Sequence, residues 1–181
     1  TLLNQLLGQK LAIVTPKPQT TRGRILGVLN LPSAQLAFVD TPGLHRPRNL
    51  INKRMVLVAE QAIEEADVVL WLVDAHDRIT SVDEGIAQQL AIQAKRICVV
   101  LNKIDRVSRV ALLPMLTRLA ELLPGREIVP ISATERTNFD ELLKQIVPLL
   151  PVGPPLFDEE TYTDQTERTL VEEVVREKVL L

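Results

Sequence analysis

An α/β fold, with a mixed, mainly parallel sheet and helices on both of its faces, is what this 181-residue sequence predicts. Three observations predict it. The core material is aliphatic: hydrophobic residues make up 46% of the chain and aromatic ones only 3%, which suits strands buried beneath helices on both sides. Three apolar runs, "DVVLWLVDA", "RICVVLNKID" and "EIVPISA", alternate with segments of helical period, the pattern of a parallel sheet with crossover helices. Ahead of them, "ILGVL" and "AQLAFVD" flank "NLPS", which reads as two strands joined by a turn rich in Asn, Pro and Ser.

Along the chain, "TLLNQLLGQK" opens as a helix, with Leu2, Leu3, Leu6 and Leu7 at helical spacing, no capping residue before them and Gly8 as a stop. "LAIV" follows as a short apolar segment, and "TPKPQTTRGR" as a polar loop leading to the two strands. Helical periodicity predicts helices over Asn52 to Ala66, Val82 to Ala94, Val110 to Leu122 and Asn138 to Val147. "LLPVGPPLFDEE" then breaks the alternation with Pro and Gly, as a linker does. The last helix starts with Asp164 as its expected cap and Glu167 three residues later, and carries Leu170, Val174, Val175 and Val179 on one face. That stripe is expected to dock on a further domain.

Composition removes several classes. The single Cys98 cannot build a disulfide framework, and no apolar run approaches the ~20 residues of a membrane span. The start lacks the basic residues and cleavage-type end of a signal peptide. A net charge of −2 gives no whole-chain reason to expect nucleic-acid binding. Lys10, Lys17, Arg22 and Arg24 share an acid-free stretch while Asp158, Glu159, Glu160, Asp164 and Glu167 crowd a later one, and solvated surface explains both. His45 and His76 are isolated, hence read as surface groups or supports of a neighbouring site rather than ligands, and Trp71 and Cys98 fall inside predicted strands as core.

In open α/β sheets, ligands sit beyond the carboxyl ends of the strands, so the polar residues after each apolar run are the ones to examine. "ICVVL" leads to "NKID", Asn102 to Asp105. A carboxylate at Asp105 can accept two parallel hydrogen bonds from N1 and N2 of guanine, a donor pair that adenine lacks. A site built around that carboxylate rejects the wrong base strongly. Asn102 can bind the N7 side and brace neighbouring loops, and the alkyl stem of Lys103 can lie over the ring. "LAFVD" leads to "DTPG", Asp40, Thr41, Pro42 and Gly43: an Asp at a strand end can hold Mg²⁺ through water, and a glycine lets a backbone amide approach a terminal phosphate. "IVPI" leads to "SAT", where the Ala133 amide beside Ser132 could face the guanine carbonyl oxygen. Thr20 and Thr21, in the polar loop, offer a hydroxyl for the Mg²⁺ shell of a triphosphate. Each motif by itself is also open to a bland account, as a chance tetrapeptide, an ordinary turn or a capped loop. Their order and spacing make coincidence improbable.

On these residues the sequence resembles the translation-factor-related GTPases and, within them, the Era branch: "TLLNQLLGQK", "PQTTRGRI", "FVDTPGLH", "VLNKID", "VPISA" and the "REK" helix look like their Era counterparts. The resemblance implies a P-loop GTPase-type domain over 1–150, a linker over 151–163, and in 164–181 the first helix of a KH-type RNA-binding domain. It implies GTP and GDP as ligands with Mg²⁺, and action in small ribosomal subunit assembly through 16S rRNA. It makes Thr21 the direct Mg²⁺ contact of the GTP state, Asp40 a contact through water, and Thr20, Thr21, Leu44 and His45 parts of two switch loops. Many GTPases place Gln after "DTPG" to orient the attacking water; Leu44 cannot do so, and no catalytic residue is named. The expected state is a cytoplasmic monomer with a peripheral contact to the inner face of the membrane. Two other readings stand beside it: another GTPase of the superfamily, serving tRNA modification or built of tandem domains, and a nucleotide-binding scaffold that does not hydrolyse. The uncapped first helix is where "GxxxxGK[ST]" would close. The expectation is therefore that a phosphate loop and its strand precede Thr1, and that the 181 residues alone neither bind GTP tightly nor fold robustly.

Overall fold

A computed structural model of the chain describes residues 1–15, 24–43, 50–93 and 96–180, the side chains of 50–55 and 93 excepted. In chain order its elements are α1 (Leu2–Leu7), β1 (Ile25–Leu31), β2 (Ala34–Asp40), α2 (Leu50–Glu65), β3 (Val69–Asp74), α3 (Ser81–Gln93), β4 (Ile97–Asn102), α4 (Arg109–Leu122), β5 (Glu127–Pro130), α5 (Phe139–Ile146) and α6 (Glu167–Leu180). The chain forms two compact units, Thr1–Ala62 with Gly153–Leu181, and Ile63–Val152.

In the first unit β1 and β2 pair antiparallel, from Ile25 opposite Asp40 to Leu31 opposite Ala34, so Pro32 and Ser33 make the predicted turn. Gly8 ends α1 in the left-handed region at φ 65°, where glycine pays no Cβ penalty. Gly27 lets the helix lie against β1: a Cβ there would come within 2.4 Å of a Leu7 methyl and 3.0 Å of one on Leu3. "LAIV" is not a strand, because side chains take its backbone groups. Asn4 Oδ1 accepts from the amides of Leu11 and Ala12, and Asn4 Nδ2 donates to the Ala12 carbonyl.

The predicted linker is fastened to this same unit. The carbonyl oxygen of the Gln35 side chain accepts from the amides of Leu156 and Phe157, and its NH₂ donates to the Phe157 carbonyl. The Val28 amide donates to the Tyr162 carbonyl, and Thr163 Oγ1 to the Leu26 carbonyl. Helix α6 begins three residues after the expected cap: Thr166 Oγ1, not Asp164, accepts from the amide of Thr169, since the Asp164 side chain is engaged by its neighbour Gln165. Leu170 packs with Leu3, Leu11, Ala12 and Ile25. Glu177 is buried and receives Lys10 Nζ at 2.5 Å and the Val14 amide at 2.9 Å. Of the predicted apolar stripe, Val174, Val175 and Val179 are exposed.

In the second unit β3, β4 and β5 pair parallel in that order, with Asp74 in register with Asn102 and Leu101 with Pro130. β4 is the centre, buried from Ile97 through Leu101, as a strand flanked on both edges must be. Trp71 and Cys98 are core residues, as predicted. α3 and α4 start on caps that the sequence supplies. At α3 Asp83 Oδ2 accepts from the Thr80 amide and Thr80 Oγ1 accepts from the Val82 amide, and at α4 Ser108 Oγ accepts from the Ala111 amide. Leu90, Leu119, Leu123 and Leu142 of the helical segments are fully buried. The strand ends therefore rest on a rigid base, and the polar residues just beyond them are held by it.

Candidate functional site

Two of those ends, of β4 and β5, build one cluster in the second unit. Asn102 closes β4, and Lys103 then turns the chain through the left-handed region at φ 65° into a short 3-10 turn over Ile104–Arg106. A lysine seldom adopts that conformation, and here two bonds hold it. Asn102 Oδ1 accepts the Lys103 amide at 2.7 Å, and the Ile104 amide donates to the Ile131 carbonyl at 3.2 Å.

Beyond β5, Ser132 is fully buried and donates from Oγ to Asp105 Oδ1 at 2.6 Å, while accepting the Glu135 amide at 3.1 Å. Asn102 Oδ1 also accepts the Ala133 amide at 3.0 Å. The two loops are thus clasped twice, Asn102 to Ala133 and Asp105 to Ser132. This brings together Asn102, Lys103, Asp105, Ser132 and Ala133, as the sequence reading groups them. One detail differs. The Ala133 amide, expected to face a guanine carbonyl, is engaged by Asn102, so a ligand oxygen there would share that donor.

Chemically the clasp leaves a defined set of groups. Asn102 spends its oxygen on the loops, so its NH₂ is the part that can meet a ligand acceptor. Asp105 has one oxygen fixed by Ser132, which orients the carboxylate plane. A carboxylate so oriented beside an amide NH₂ matches a planar ring with two adjacent N–H donors and a nearby lone pair, as guanine presents.

One residue absent from the sequence-level set belongs to this cluster. Asp74, at the end of β3, pairs through Oδ2 with Lys103 Nζ and accepts the His76 amide on Oδ1 at 2.9 Å. Burial works to raise its pKa, but the Lys103 and His76 contacts outweigh it and hold the carboxyl below its ordinary value. The signal that would find it is the one that finds the others: a polar residue closing an apolar run, here "VLWLVD". His76 is on the surface, as predicted, and Cys98 is inert: burial and then Glu127 push its thiol up to about 11.

The "DTPG" residues lie in the first unit. Asp40 closes β2, Pro42 is fully buried, and a Cβ on Gly43 would meet nothing within 4 Å, so internal packing does not require the glycine. Among the described residues no group of three or more His, Cys, Asp or Glu side chains gathers to hold a metal. A strand-end carboxylate such as Asp40 fits a hydrated Mg²⁺, which keeps most of its waters and takes further oxygens from phosphates. Thr20, Thr21, Leu44 and His45 lie outside the described residues.

Comparison with known proteins accords with this geometry. The family model for 50S ribosome-binding GTPases matches residues 1–103. The chain is 45% identical over 179 residues to a GTPase Era of Geotalea daltonii, covering 99% of this chain and 60% of the relative. It is 44% identical over 187 residues to that of Aquifex aeolicus, covering 100% and 62%. Among solved structures, that of Era with MgGDPNP and nucleotides 1506–1542 of 16S ribosomal RNA superposes with a TM-score of 0.91 at 44% identity, over 98% of this chain and 61% of that one. The chain thus spans about three fifths of the length of these relatives. No described helix is long and apolar enough to cross a membrane.

Proposed function

Because the chain belongs to the 50S ribosome-binding GTPase family and is Era-like along its whole length, we propose that it is the nucleotide-binding part of a GTP-hydrolysing switch acting in small ribosomal subunit assembly through 16S rRNA. The observation that carries the reading is the double clasp at the ends of β4 and β5, which fixes the Asp105 carboxylate with Ser132 and uses the Asn102 oxygen, leaving its NH₂ for a ligand acceptor. Asp105 accepts the N1 and N2 donors of guanine, Asn102 meets N7, and the Lys103 stem covers the ring. Ser132 and Ala133 complete the base pocket. Asp40 holds Mg²⁺ through water, Thr21 contacts it directly in the GTP state, and Thr41, Pro42, Gly43 and Leu44 follow the terminal phosphate with Thr20 and His45 in the switch loops. Mg²⁺ supplies charge neutralisation between the phosphates.

The domain scheme we propose keeps a GTPase domain over 1–150, a connecting segment over 151–163 and, from 164, entry into a KH-type RNA-binding domain. The family resemblance supports it, and so does α6, whose Val174, Val175 and Val179 remain uncovered. The protein acts as a cytoplasmic monomer in this reading. A peripheral membrane contact draws little support from α6, where Glu167, Glu172, Glu173 and Glu177 offset the basic residues an anionic surface attracts.

A single-turnover assay on the intact protein tests the proposal. Wild type is expected to release phosphate slowly from GTP with Mg²⁺ and to ignore XTP, whereas Asp105→Asn should prefer XTP, whose 2-oxo group meets the new amide NH₂. Unchanged base preference would overturn the guanine assignment. Tight GTP binding with no phosphate release would instead favour a non-hydrolysing scaffold, the reading to which Leu44 lends weight.

A further inference from the structure

The position of the Lys103 ammonium is set by a residue of another strand. β3 and β4 end in register, Asp74 opposite Asn102, which puts the last side chain of β3 beside the first residue past β4. Both oxygens of Asp74 are committed, one to the His76 amide and the other to Lys103 Nζ, so the carboxylate is itself fixed. Lys103 is consequently held at both ends. Its backbone is locked left-handed by Asn102 Oδ1, and its ammonium is tied to Asp74. The four-carbon stem is strung between those two fixed points.

An ion pair whose lysine side chain is 43% exposed adds little to stability, so the consequence of the tether is to be sought in ligand binding. A free lysine arm loses its rotamer freedom when a ring is laid against it; a tethered one has lost it beforehand. We propose that Asp74 is a positioning residue for guanine-nucleotide binding, acting through Lys103 by holding its stem in the conformation that covers the base. This rests on the guanine reading above and adds to it a residue that touches no nucleotide.

The test is a double-mutant cycle on the intact protein, with fluorescent GDP as the probe at fixed salt and Mg²⁺. Asp74→Asn is nearly isosteric and keeps an acceptor for the His76 amide. It should weaken binding about three- to tenfold, the loss expected from one unrestrained side chain, while lowering the melting temperature by no more than a few degrees. In the Lys103→Met background the same substitution should change affinity less than twofold. Asp74→Ser serves as a second variant should the first fail to fold. An equal effect of Asp74→Asn in both backgrounds, or none in wild type, overturns the inference and leaves the guanine reading intact. Failure of the wild-type protein to bind GDP overturns both.

Discussion

Asp74 also gives the fold a pH dependence. Lys103 and the His76 amide hold its carboxyl below the ordinary value against the opposing effect of burial, so the folded pKa lies beneath the unfolded one. Such a group stabilises the fold fully above the ordinary carboxylate range, about 4, and the contribution disappears as pH falls through the lower folded value. Lys103 and His76 are the charged or titratable residues that act on it among the described residues. Urea unfolding of wild type and Asp74→Asn should therefore differ at pH 6, by about 1 kcal/mol or less for a partly exposed pair, and the difference should shrink as pH falls below about 4. A difference that grows in acid would contradict the assignment. At this scale most of the strand-end cluster was legible, because Asn102 and Ser132 stand directly after apolar runs and Asp105 follows Asn102 by three residues. Asp74 stands in the same kind of place. What hid its role is the β3–β4 register, which decides that its neighbour is Lys103 and which no local pattern encodes.

At the level of elements, period and capping carried far. The predicted Val82 to Ala94 and Val110 to Leu122 correspond to α3 at Ser81–Gln93 and α4 at Arg109–Leu122, since their apolar spacing and their Thr80 and Ser108 caps agree. Residues 151–163 were less legible. Pro and Gly signal a linker, yet from Leu156 onward the segment is laid along the β1–β2 hairpin by Gln35, more than a hundred residues away in sequence. A side chain that bonds a distant backbone leaves no periodic trace. The expected cap at Asp164 misplaced the start of α6 for a related reason: several polar residues precede it, and local bonds among them choose Thr166. Gln35 gives this account a direct test. Gln35→Ala removes the acceptor for two amides and the donor to the Phe157 carbonyl. Amide exchange at Leu156 and Phe157 should accelerate at least tenfold, which corresponds to about 1.4 kcal/mol of local opening, while β4 amides keep their protection. Unchanged exchange at 156 and 157 would mean that the segment is held by packing alone.

For the molecule as a whole, the site and the core of its unit are one structure. Asn102 is the last residue of β4, and Ser132 follows β5, so opening the three-stranded sheet dissolves the double clasp. Cys98, fully buried on β4 with its thiol pushed up to about 11, reports that opening. In the closed form it is neither accessible nor ionised near pH 8. Where reclosing is fast, its alkylation rate follows the fraction of molecules open. A ligand that binds only the closed form lowers that fraction by the factor 1 + [L]/Kd, about 100-fold at a hundred times Kd. Iodoacetamide labelling of Cys98 in the intact protein, followed by mass spectrometry of its peptide, should slow by about that factor with GDP. ADP at the same concentration should leave the rate unchanged, because adenine gives the Asp105 carboxylate no paired donors and leaves its charge unsatisfied in the pocket. Equal slowing by both nucleotides would mean that phosphate contacts dominate binding. No slowing by saturating GDP would mean that the bound state does not depend on β4, and the strand-end clasp would not be where the base is read.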